Sequence, residues 1–152
     1  MKPFPHSHDV SVEARSETEA TISANGLTSL ASAPPAEFGG PGNLWSPETL
    51  LVGAVADCFI LTFKAIAAAA RFNWTEIQCD GSGVLDRAEG SVRFTRMLLH
   101  VRLTVPAGTD KERAQVLLKK AEKACLIANS LRFSPELRYE VLTEEVPDLL
   151  AS

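Results

Sequence analysis

The pattern of apolar and polar residues in the first third of the chain predicts a small sheet followed by an irregular loop. Apolar and polar residues alternate weakly over residues 8–32. Within this stretch, SETE at 16–19 and the dipeptide Asn25-Gly26 are typical of turns, and Asn-Gly in particular favours a hairpin. We therefore expect short antiparallel strands here, before a loop rich in Pro and Gly at 33–45.

The longest apolar stretch, LLVGAVADCFILTFKAIAAAA at residues 50–70, predicts a helix that is apolar on nearly every side. Ser46 can cap this helix, Pro47 suits its first position, and Glu48 suits the positive end of its dipole. We expect the helix to run to about Ala70. Because it needs cover on all sides, the pattern favours a dimer in which two such helices pack together.

The next part of the chain predicts a long β-hairpin. Residues 74–87 are expected to pair with residues 92–105 through a turn at 88–91. The second strand alternates strictly, and its apolar face consists of Met97, Leu99, Val101, Leu103 and Val105. One face of this hairpin should therefore meet the core.

A second helix is predicted at about 110–128, and a last strand at 136–143. Thr109 and Glu112 have the spacing of a capping box at the start of the helix. Its apolar stripe at helical spacing consists of Ala114, Leu117, Leu118, Ala121, Ala124, Cys125 and Ala128. We expect this stripe to pack against the core.

Composition narrows the class of protein. With 152 residues a single domain is the default, and 45% hydrophobic and 22% charged residues are ordinary for a soluble protein. A net charge of -4 leaves no basic surface, so nucleic acid is not an expected partner. Asp57 and Lys64 would be costly in lipid, which disfavours a membrane span. The first residues lack the apolar segment of a signal peptide, so a cytoplasmic location is expected.

Two of the three cysteines lie on the buried sides of the two predicted helices. An odd number of cysteines without a CxxC pair argues against a disulfide framework and a closed zinc site. A lone buried cysteine is usually a packing residue, which is our interpretation of Cys79 on the inward side of its strand. If the helices pack together, however, Cys58 and Cys125 can meet. Such a pair suits a thiol that is oxidised and a second thiol that resolves it.

A buried thiol is inert unless a positive group lowers its pKa. The candidate cations are Arg15, Arg71, Arg93 and Arg96. Periodicity alone does not choose among them. Glu48 precedes Cys58 by ten positions, about 15 Å along a continuous helix, so the two cannot touch on that helix. They can share a site only if the helix breaks, with Gly53 as a weak point, or if two chains contribute.

Two stretches resemble motifs of the OsmC/Ohr family of thiol peroxidases. GNLWSPETLLVGAVADCFILTF resembles N-P-E-x-L-L-x-A-x-x-x-C-F, and AEKACLIANSL, about 65 residues further on, resembles A-x-x-x-C-P-[VI]-[SA]-x-A/S-L. The hairpin between them also matches, and the resemblance covers about residues 8–145. Ser46 replaces the asparagine, Leu126 replaces the proline, and Asp57 replaces a small residue. The chain is therefore more similar to the broad OsmC-like group than to typical organic hydroperoxide resistance proteins.

The resemblance implies a fold and a set of site residues. The fold is α+β, with antiparallel sheets around two central helices in an intertwined homodimer whose active sites lie at the dimer interface. Cys58 corresponds to the peroxidatic cysteine and Cys125 to the resolving cysteine. Glu48 corresponds to the glutamate of the first motif, and Arg15 fits the place of the family's arginine. One OsmC-like domain over residues 1–152 is expected.

The same resemblance implies the reduction of organic hydroperoxides to alcohols, without metal, flavin or haem. An external dithiol, typically a dihydrolipoyl group such as that of a lipoyl protein, would regenerate the enzyme. Two alternatives stay open. One is a non-enzymatic redox-sensing or small-ligand-binding module on the same fold. The other is a thiol hydrolase that uses Cys58 as its nucleophile.

Overall fold

Two compact units make up the chain in the computed structural model, which describes residues 1–145. The first unit contains residues 1–51, and the second begins at Val52. The expectation of one domain over residues 1–152 stays a prediction, and residues 146–152 of that domain lie outside the described part of the chain.

The first unit contains a three-stranded antiparallel sheet. Its strands lie in the order β1 (Ser11–Glu13), β2 (Ala20–Ser23) and β3 (Leu30–Ser32). Gly26, in the connection between β2 and β3, has a φ of 76°, a conformation that glycine adopts without steric cost. A short 3₁₀ helix follows at Ala36–Phe38. The predicted short antiparallel strands and their turns are confirmed.

Helix α1 spans Pro47–Ala69 without interruption. Ser46 caps it, since the backbone N–H of Thr49 donates to Oγ of Ser46 at 3.1 Å, and the N–H of Ser46 donates to Oγ1 of Thr49 at 3.0 Å. The predicted start and end are confirmed. The considered break near Gly53 does not occur.

The burial of α1 differs from the expectation of a helix covered on all sides. One line of residues is buried: Val55, Phe59, Phe63 and Ala67. Leu61, on another side, is 54% exposed. The helix is long and apolar enough to cross a membrane, with a mean hydropathy of 2.0 in its most apolar segment, but core helices of soluble proteins meet the same criterion. Within one chain, α1 is therefore covered on one side only.

The second unit contains a mixed three-stranded sheet in the order β4 (Glu76–Ala88), β5 (Ser91–Val105) and β6 (Glu136–Thr143). Strands β4 and β5 form the predicted antiparallel hairpin, with a bulge at Val84/Leu85. Strand β6 occupies the predicted residues but pairs with β5 in parallel, whereas only antiparallel sheets were expected. The parallel pairing follows from the helical connection between the two strands, which carries the chain back along β5 to Leu98, where the pairing with β6 begins.

The predicted helix at 110–128 is divided into two. Helix α2 spans Lys111–Ala124, helix α3 spans Leu126–Asn129, and Cys125 between them is extended, with a ψ of 106°. The prediction of one continuous helix was wrong at Cys125. Because the side chain of Cys125 is nevertheless buried, the apolar stripe concealed the interruption.

The predicted cap of the second helix was also wrong. Asp110 caps α2, because its carboxylate accepts hydrogen bonds from the N–H groups of Glu112 and Arg113 at 3.0 and 3.3 Å. The hydroxyl of Thr109 donates instead to the carbonyl of Pro106 at 2.7 Å. The helix therefore begins one residue later than a cap at Thr109 would place it.

The core of the second unit lies between the sheet and the two long helices. It joins the line on α1, the inward face of β5 and the stripe on α2. Two glycines of β4 allow α1 to approach the sheet closely: a Cβ at Gly81 would lie 2.9 Å from Cγ1 of Val52, and one at Gly83 would lie 2.7 Å from Cγ2 of Val52. This close approach sets the position of the helix that carries Cys58.

Candidate active site

Two thiols from different helices meet in the second unit. Cys58 lies in the middle of α1, Cys125 lies at the break between α2 and α3, and the two thiols are close enough for each to shift the pKa of the other. The thiol of Cys125 also donates to the carbonyl of Val55 at 3.9 Å. The prediction that packing of the helices brings these two cysteines together is confirmed.

Hydrogen bonds lower the pKa of the Cys58 thiol. Burial by itself raises this pKa, but the backbone N–H groups of Ile127 and Leu126 donate to the sulfur and lower it. The thiol of Cys125 and the hydroxyl of Thr62 lower it further. Oγ1 of Thr62 lies 3.9 Å from Sγ of Cys58, one helical turn further along α1. The lowered pKa increases the fraction of thiolate at neutral pH, and the thiolate is the reactive form.

The pKa of Cys125 moves in the opposite direction. Burial raises it, and the neighbouring Cys58 raises it further because two thiolates repel each other. Cys125 therefore remains a protonated thiol beside the sulfur of Cys58. The pair is polarised, with one sulfur activated as a nucleophile and the other held beside it as a second thiol.

Cys79 differs from both. It is partly buried on β4 and packs against the core, as the sequence predicted. Burial raises the pKa of the Cys79 thiol to about 11, with smaller contributions from Asp80 and Cys125. This thiol is therefore protonated at neutral pH, in agreement with a packing role.

The groups that lower the pKa of Cys58 were not among those that the sequence suggested. Within residues 52–145 no arginine side chain is hydrogen-bonded to its sulfur: Arg93 pairs with Glu89 at 3.0 Å, and Arg71 and Arg96 are exposed. The N–H groups of Leu126 and Ile127 take this part instead. Side-chain patterns could not reveal them, because they become available only where the helix is broken. Thr62, by contrast, could have been found from its spacing of four residues.

Glu48 and Arg15 both belong to the first unit. Glu48 lies in the first turn of α1, and its Oε2 is buried and has no hydrogen-bond partner among the described residues. Arg15 is exposed in the turn after β1, where its backbone N–H donates to Oγ1 of Thr18 at 3.2 Å. Within residues 1–51 the Arg15 side chain is exposed and forms no ion pair with Glu48. The roles of both residues stay predictions.

A cavity of about 420 Å³ reaches Cys125. Its apolar lining comes from Phe59, Leu99 and Leu137, and its polar lining comes from the partly buried Glu122 and the exposed Lys123, Asn129 and Ser134. Phe59 and Leu99 are buried in the core, so the apolar part lies inside and the polar part lies toward solvent. Within residues 1–145, no group of three or more His, Cys, Asp or Glu side chains could hold a metal ion.

A comparison with protein families agrees with the resemblance seen in the motifs. Residues 40–140 match the family described as OsmC-like protein. The chain belongs to the OsmC-like family. The matched segment contains Glu48, Cys58 and Cys125, whereas Arg15 lies outside it.

Relatives of this OsmC-like protein include both uncharacterized and named proteins. It is 26% identical over 129 residues to the uncharacterized protein YmaD of Bacillus subtilis, which covers 83% of this chain and 85% of YmaD. It is 33% identical over 100 residues to an organic hydroperoxide resistance protein of Xanthomonas axonopodis pv. citri, which covers 64% of this chain and 68% of that protein. The family thus includes hydroperoxide resistance proteins at low identity to this chain.

Solved structures show the same fold. An OsmC-like protein of unknown function from Vibrio cholerae has a TM-score of 0.78 at 20% identity, covering 91% of this chain and all (100%) of that one. An organic hydroperoxide resistance protein from Elizabethkingia anophelis, with thiocyanate bound, has a TM-score of 0.72 at 21% identity, covering 93% and 100%. The predicted α+β, OsmC-like fold is confirmed, while the intertwined homodimer stays a prediction.

Proposed function

We propose that this OsmC-like protein is a thiol-dependent peroxidase that reduces organic hydroperoxides to alcohols. The observation that carries the proposal is the polarised pair of thiols, in which Cys58 has a lowered pKa and the protonated Cys125 lies beside it. A second thiol beside an activated one is the arrangement that a disulfide-forming cycle requires. The relationship to organic hydroperoxide resistance proteins supports the same activity.

The first step oxidises Cys58. Its thiolate attacks the distal oxygen of ROOH, the O–O bond breaks, and the sulfur becomes a sulfenic acid as the alkoxide leaves and takes up a proton. In this proposal Arg15 moves from its exposed position to stabilise the thiolate and the developing charge, and Glu48 orients it through an ion pair that is not formed in the single chain. The buried Oε2 of Glu48 supports a cationic partner, since a buried carboxylate oxygen without one is costly.

The second step closes a disulfide. The sulfur of Cys125 attacks the sulfenic sulfur of Cys58, the S–O bond breaks, and the oxygen leaves as water once protonated. Two thiols of an external dithiol, in this proposal a dihydrolipoyl group, then reduce the disulfide and are themselves oxidised. Sulfur carries the whole redox change, so the cycle requires no metal or organic cofactor.

A homodimer is part of the proposal. Helix α1 buries only one line of side chains within a chain, and its apolar character continues around the other sides, where Leu61 is 54% exposed. Pairing of two α1 helices would remove this apolar surface from water. Analytical ultracentrifugation tests this part, and Leu61→Glu should shift the protein toward the monomer.

The deciding experiment counts thiols and measures intact mass before and after one equivalent of cumene hydroperoxide. We expect two thiols and about 2 Da to be lost, mapped to Cys58 and Cys125 and restored by dihydrolipoamide. Cys58→Ser should abolish peroxide consumption, and Cys125→Ser should accumulate a sulfenic acid. Cys79→Ala is the control and should behave like the unaltered protein. Three thiols that survive the peroxide would contradict the proposal.

The same variants separate the two other functions. A redox-sensing module should form the disulfide without turnover by dithiols. A thiol hydrolase should form a covalent adduct between Cys58 and an activated ester, and should do so equally well in Cys125→Ser. Peroxide-dependent oxidation of dithiol over many turnovers would exclude both.

A further inference from the structure

The two sulfurs of the proposed disulfide face different surroundings. Cys125 is 1% exposed, but it lines the cavity of about 420 Å³, together with residues of α1, β5, α3 and the segment before β6. Cys58 does not line this cavity. A molecule that fills the cavity would therefore lie beside Cys125 and not beside Cys58.

The chemistry of thiol–disulfide exchange favours the same sulfur. An attacking thiolate displaces one sulfur of the disulfide as a thiolate, and the sulfur with the lower thiol pKa leaves faster. The pKa of Cys58 is lowered and that of Cys125 is raised. Attack on Cys125, with Cys58 as the leaving group, is therefore the easier direction. In that direction, the N–H groups of Leu126 and Ile127 stabilise the departing thiolate.

We propose that this cavity admits the reductant, and that a thiolate of a small aliphatic dithiol attacks Sγ of Cys125 rather than Sγ of Cys58. The inference rests on the proposed peroxidase cycle. The new S–S bond joins the reductant to Cys125, the Cys58–Cys125 bond breaks, and Cys58 leaves as a thiolate. The second thiolate of the reductant then attacks the reductant sulfur that is bonded to Cys125. This forms a cyclic disulfide and releases Cys125 as a thiolate, which takes up a proton. The dithiol loses two electrons and the protein disulfide gains them.

The lining of the cavity indicates the kind of dithiol. Phe59, Leu99 and Leu137 offer an apolar interior for a short hydrocarbon chain. Lys123 and Asn129, at the exposed side, can bind a carboxylate or an amide at the other end of such a chain. The volume of about 420 Å³ is in the range of small-molecule sites.

The first test determines which sulfur is attacked, and it does not depend on peroxidase activity. Diamide, a thiol oxidant, is used to form the Cys58–Cys125 disulfide in the Cys79→Ala background. The oxidised protein is mixed briefly with 2-mercaptoethanol, quenched with acid, digested with pepsin and mapped by mass spectrometry. We expect the adduct on Cys125. An adduct on Cys58, or failure of diamide to form the disulfide, would overturn the inference. If the adduct is on Cys125 but hydroperoxides are not reduced, only the proposed function fails.

The second test blocks the cavity. Ser134→Trp places a large side chain at its exposed side, and Arg132→Trp places the same side chain two residues away on an exposed position outside the lining. Reduction of the diamide-formed disulfide by dihydrolipoic acid should slow at least about tenfold in Ser134→Trp, because the attacking thiolate loses its path to Cys125. Alkylation of Cys58 in the reduced protein should be unchanged. Equal rates of reduction in the two variants would contradict the inference.

Discussion

Cys58 and Cys79 both lie against the core of the second unit, yet the pKa of one thiol is lowered and that of the other is raised. On α1, where Cys58 faces the break between α2 and α3, hydrogen bonds lower the pKa of its thiol although burial opposes this. On strand β4, burial raises the pKa of Cys79 to about 11. Burial alone therefore does not decide whether a thiol is reactive in this protein. The supply of hydrogen-bond donors decides it.

The difference in donors has a simple structural origin. Strand β4 lies beside β5, and Cys79 is in register with Val101, so backbone groups around it are engaged in the ladder. The chain at Cys125 is extended, and the N–H groups of the residues that follow have no carbonyl of α2 to bind. They turn instead to the sulfur of Cys58. An interruption of one residue thus creates a polar environment inside an apolar stripe.

The largest expected effect compares the two thiols directly. At pH 7, iodoacetamide should alkylate Cys58 more than about a hundredfold faster than Cys79, since a pKa two units above the ordinary 9.0 leaves that much less thiolate. As the pH falls through the lowered pKa of Cys58, its rate should fall as the thiolate is protonated. Peptide mapping after timed alkylation measures both rates. In guanidinium chloride the two rates should become similar, and a difference that persists there would point to local sequence instead.

The next effect concerns the packing of α1 against β4. Gly83→Val should lower the free energy of unfolding by about 2 kcal/mol, because a Cβ there would lie 2.7 Å from side-chain atoms of Phe94 and Val52. Urea denaturation measures the change. Ser82→Val, on the exposed side of the same strand, is the matched control and should not destabilise the protein. Equal losses of unfolding free energy in both variants would mean that the strand propensity of valine, and not the close approach of α1 to Gly83, causes the destabilisation.

A smaller effect tests the helix break itself. Leu126→Pro removes one N–H donor at the first position of α3, where proline is tolerated, and it follows a residue that is already extended. We expect the pKa of Cys58 to rise and its alkylation at pH 7 to slow about fivefold, equivalent to about 1 kcal/mol for one hydrogen bond. Leu126→Ala keeps the N–H and should retain the original rate. A pH profile unchanged in Leu126→Pro would show that this donor is unimportant.

The smallest expected effect involves Thr62. Its hydroxyl lies 3.9 Å from Sγ of Cys58, a long hydrogen bond even for sulfur. Thr62→Val keeps the shape and removes the hydroxyl, so we expect alkylation of Cys58 to slow by less than about twofold, equivalent to less than about 0.5 kcal/mol. Thr62→Ser, which retains the hydroxyl, is the control. A loss larger than that of Leu126→Pro would show that the Thr62 hydroxyl lowers the pKa of Cys58 more than the N–H of Leu126 does.

Local patterns predicted most of the secondary structure. The cap at Ser46, the long hairpin, and the strand at 136–143 are confirmed because turn residues, capping hydroxyls and alternation act over a few neighbouring residues. The cap at Thr109 was wrong because two adjacent residues, Thr109 and Asp110, can both cap a helix, and sequence spacing does not choose between them. Parallel pairing of the last strand was also missed, since it depends on the path of the connection.

The candidate site was predictable in part. Sequence placed Cys58 and Cys125 on inward positions of two helices, and packing brings them together. It suggested arginines as the activating groups, whereas the backbone after Cys125 supplies the hydrogen bonds found within residues 52–145. Backbone groups are the same in every residue, so no pattern of side chains distinguishes those that are engaged from those that are available.

The sequence by itself determined which segments become strands and helices, which of their faces are apolar, and which two thiols can form a pair. These features follow from side-chain identity and spacing. Only the tertiary structure decided that α2 ends at Ala124, that the N–H groups of Leu126 and Ile127 reach Cys58, and that a cavity opens on Cys125. Those features arise where separate elements meet. A hydrogen-bond donor stays available only where no neighbouring element accepts its bond, and a cavity remains only where neighbouring side chains do not fill the space.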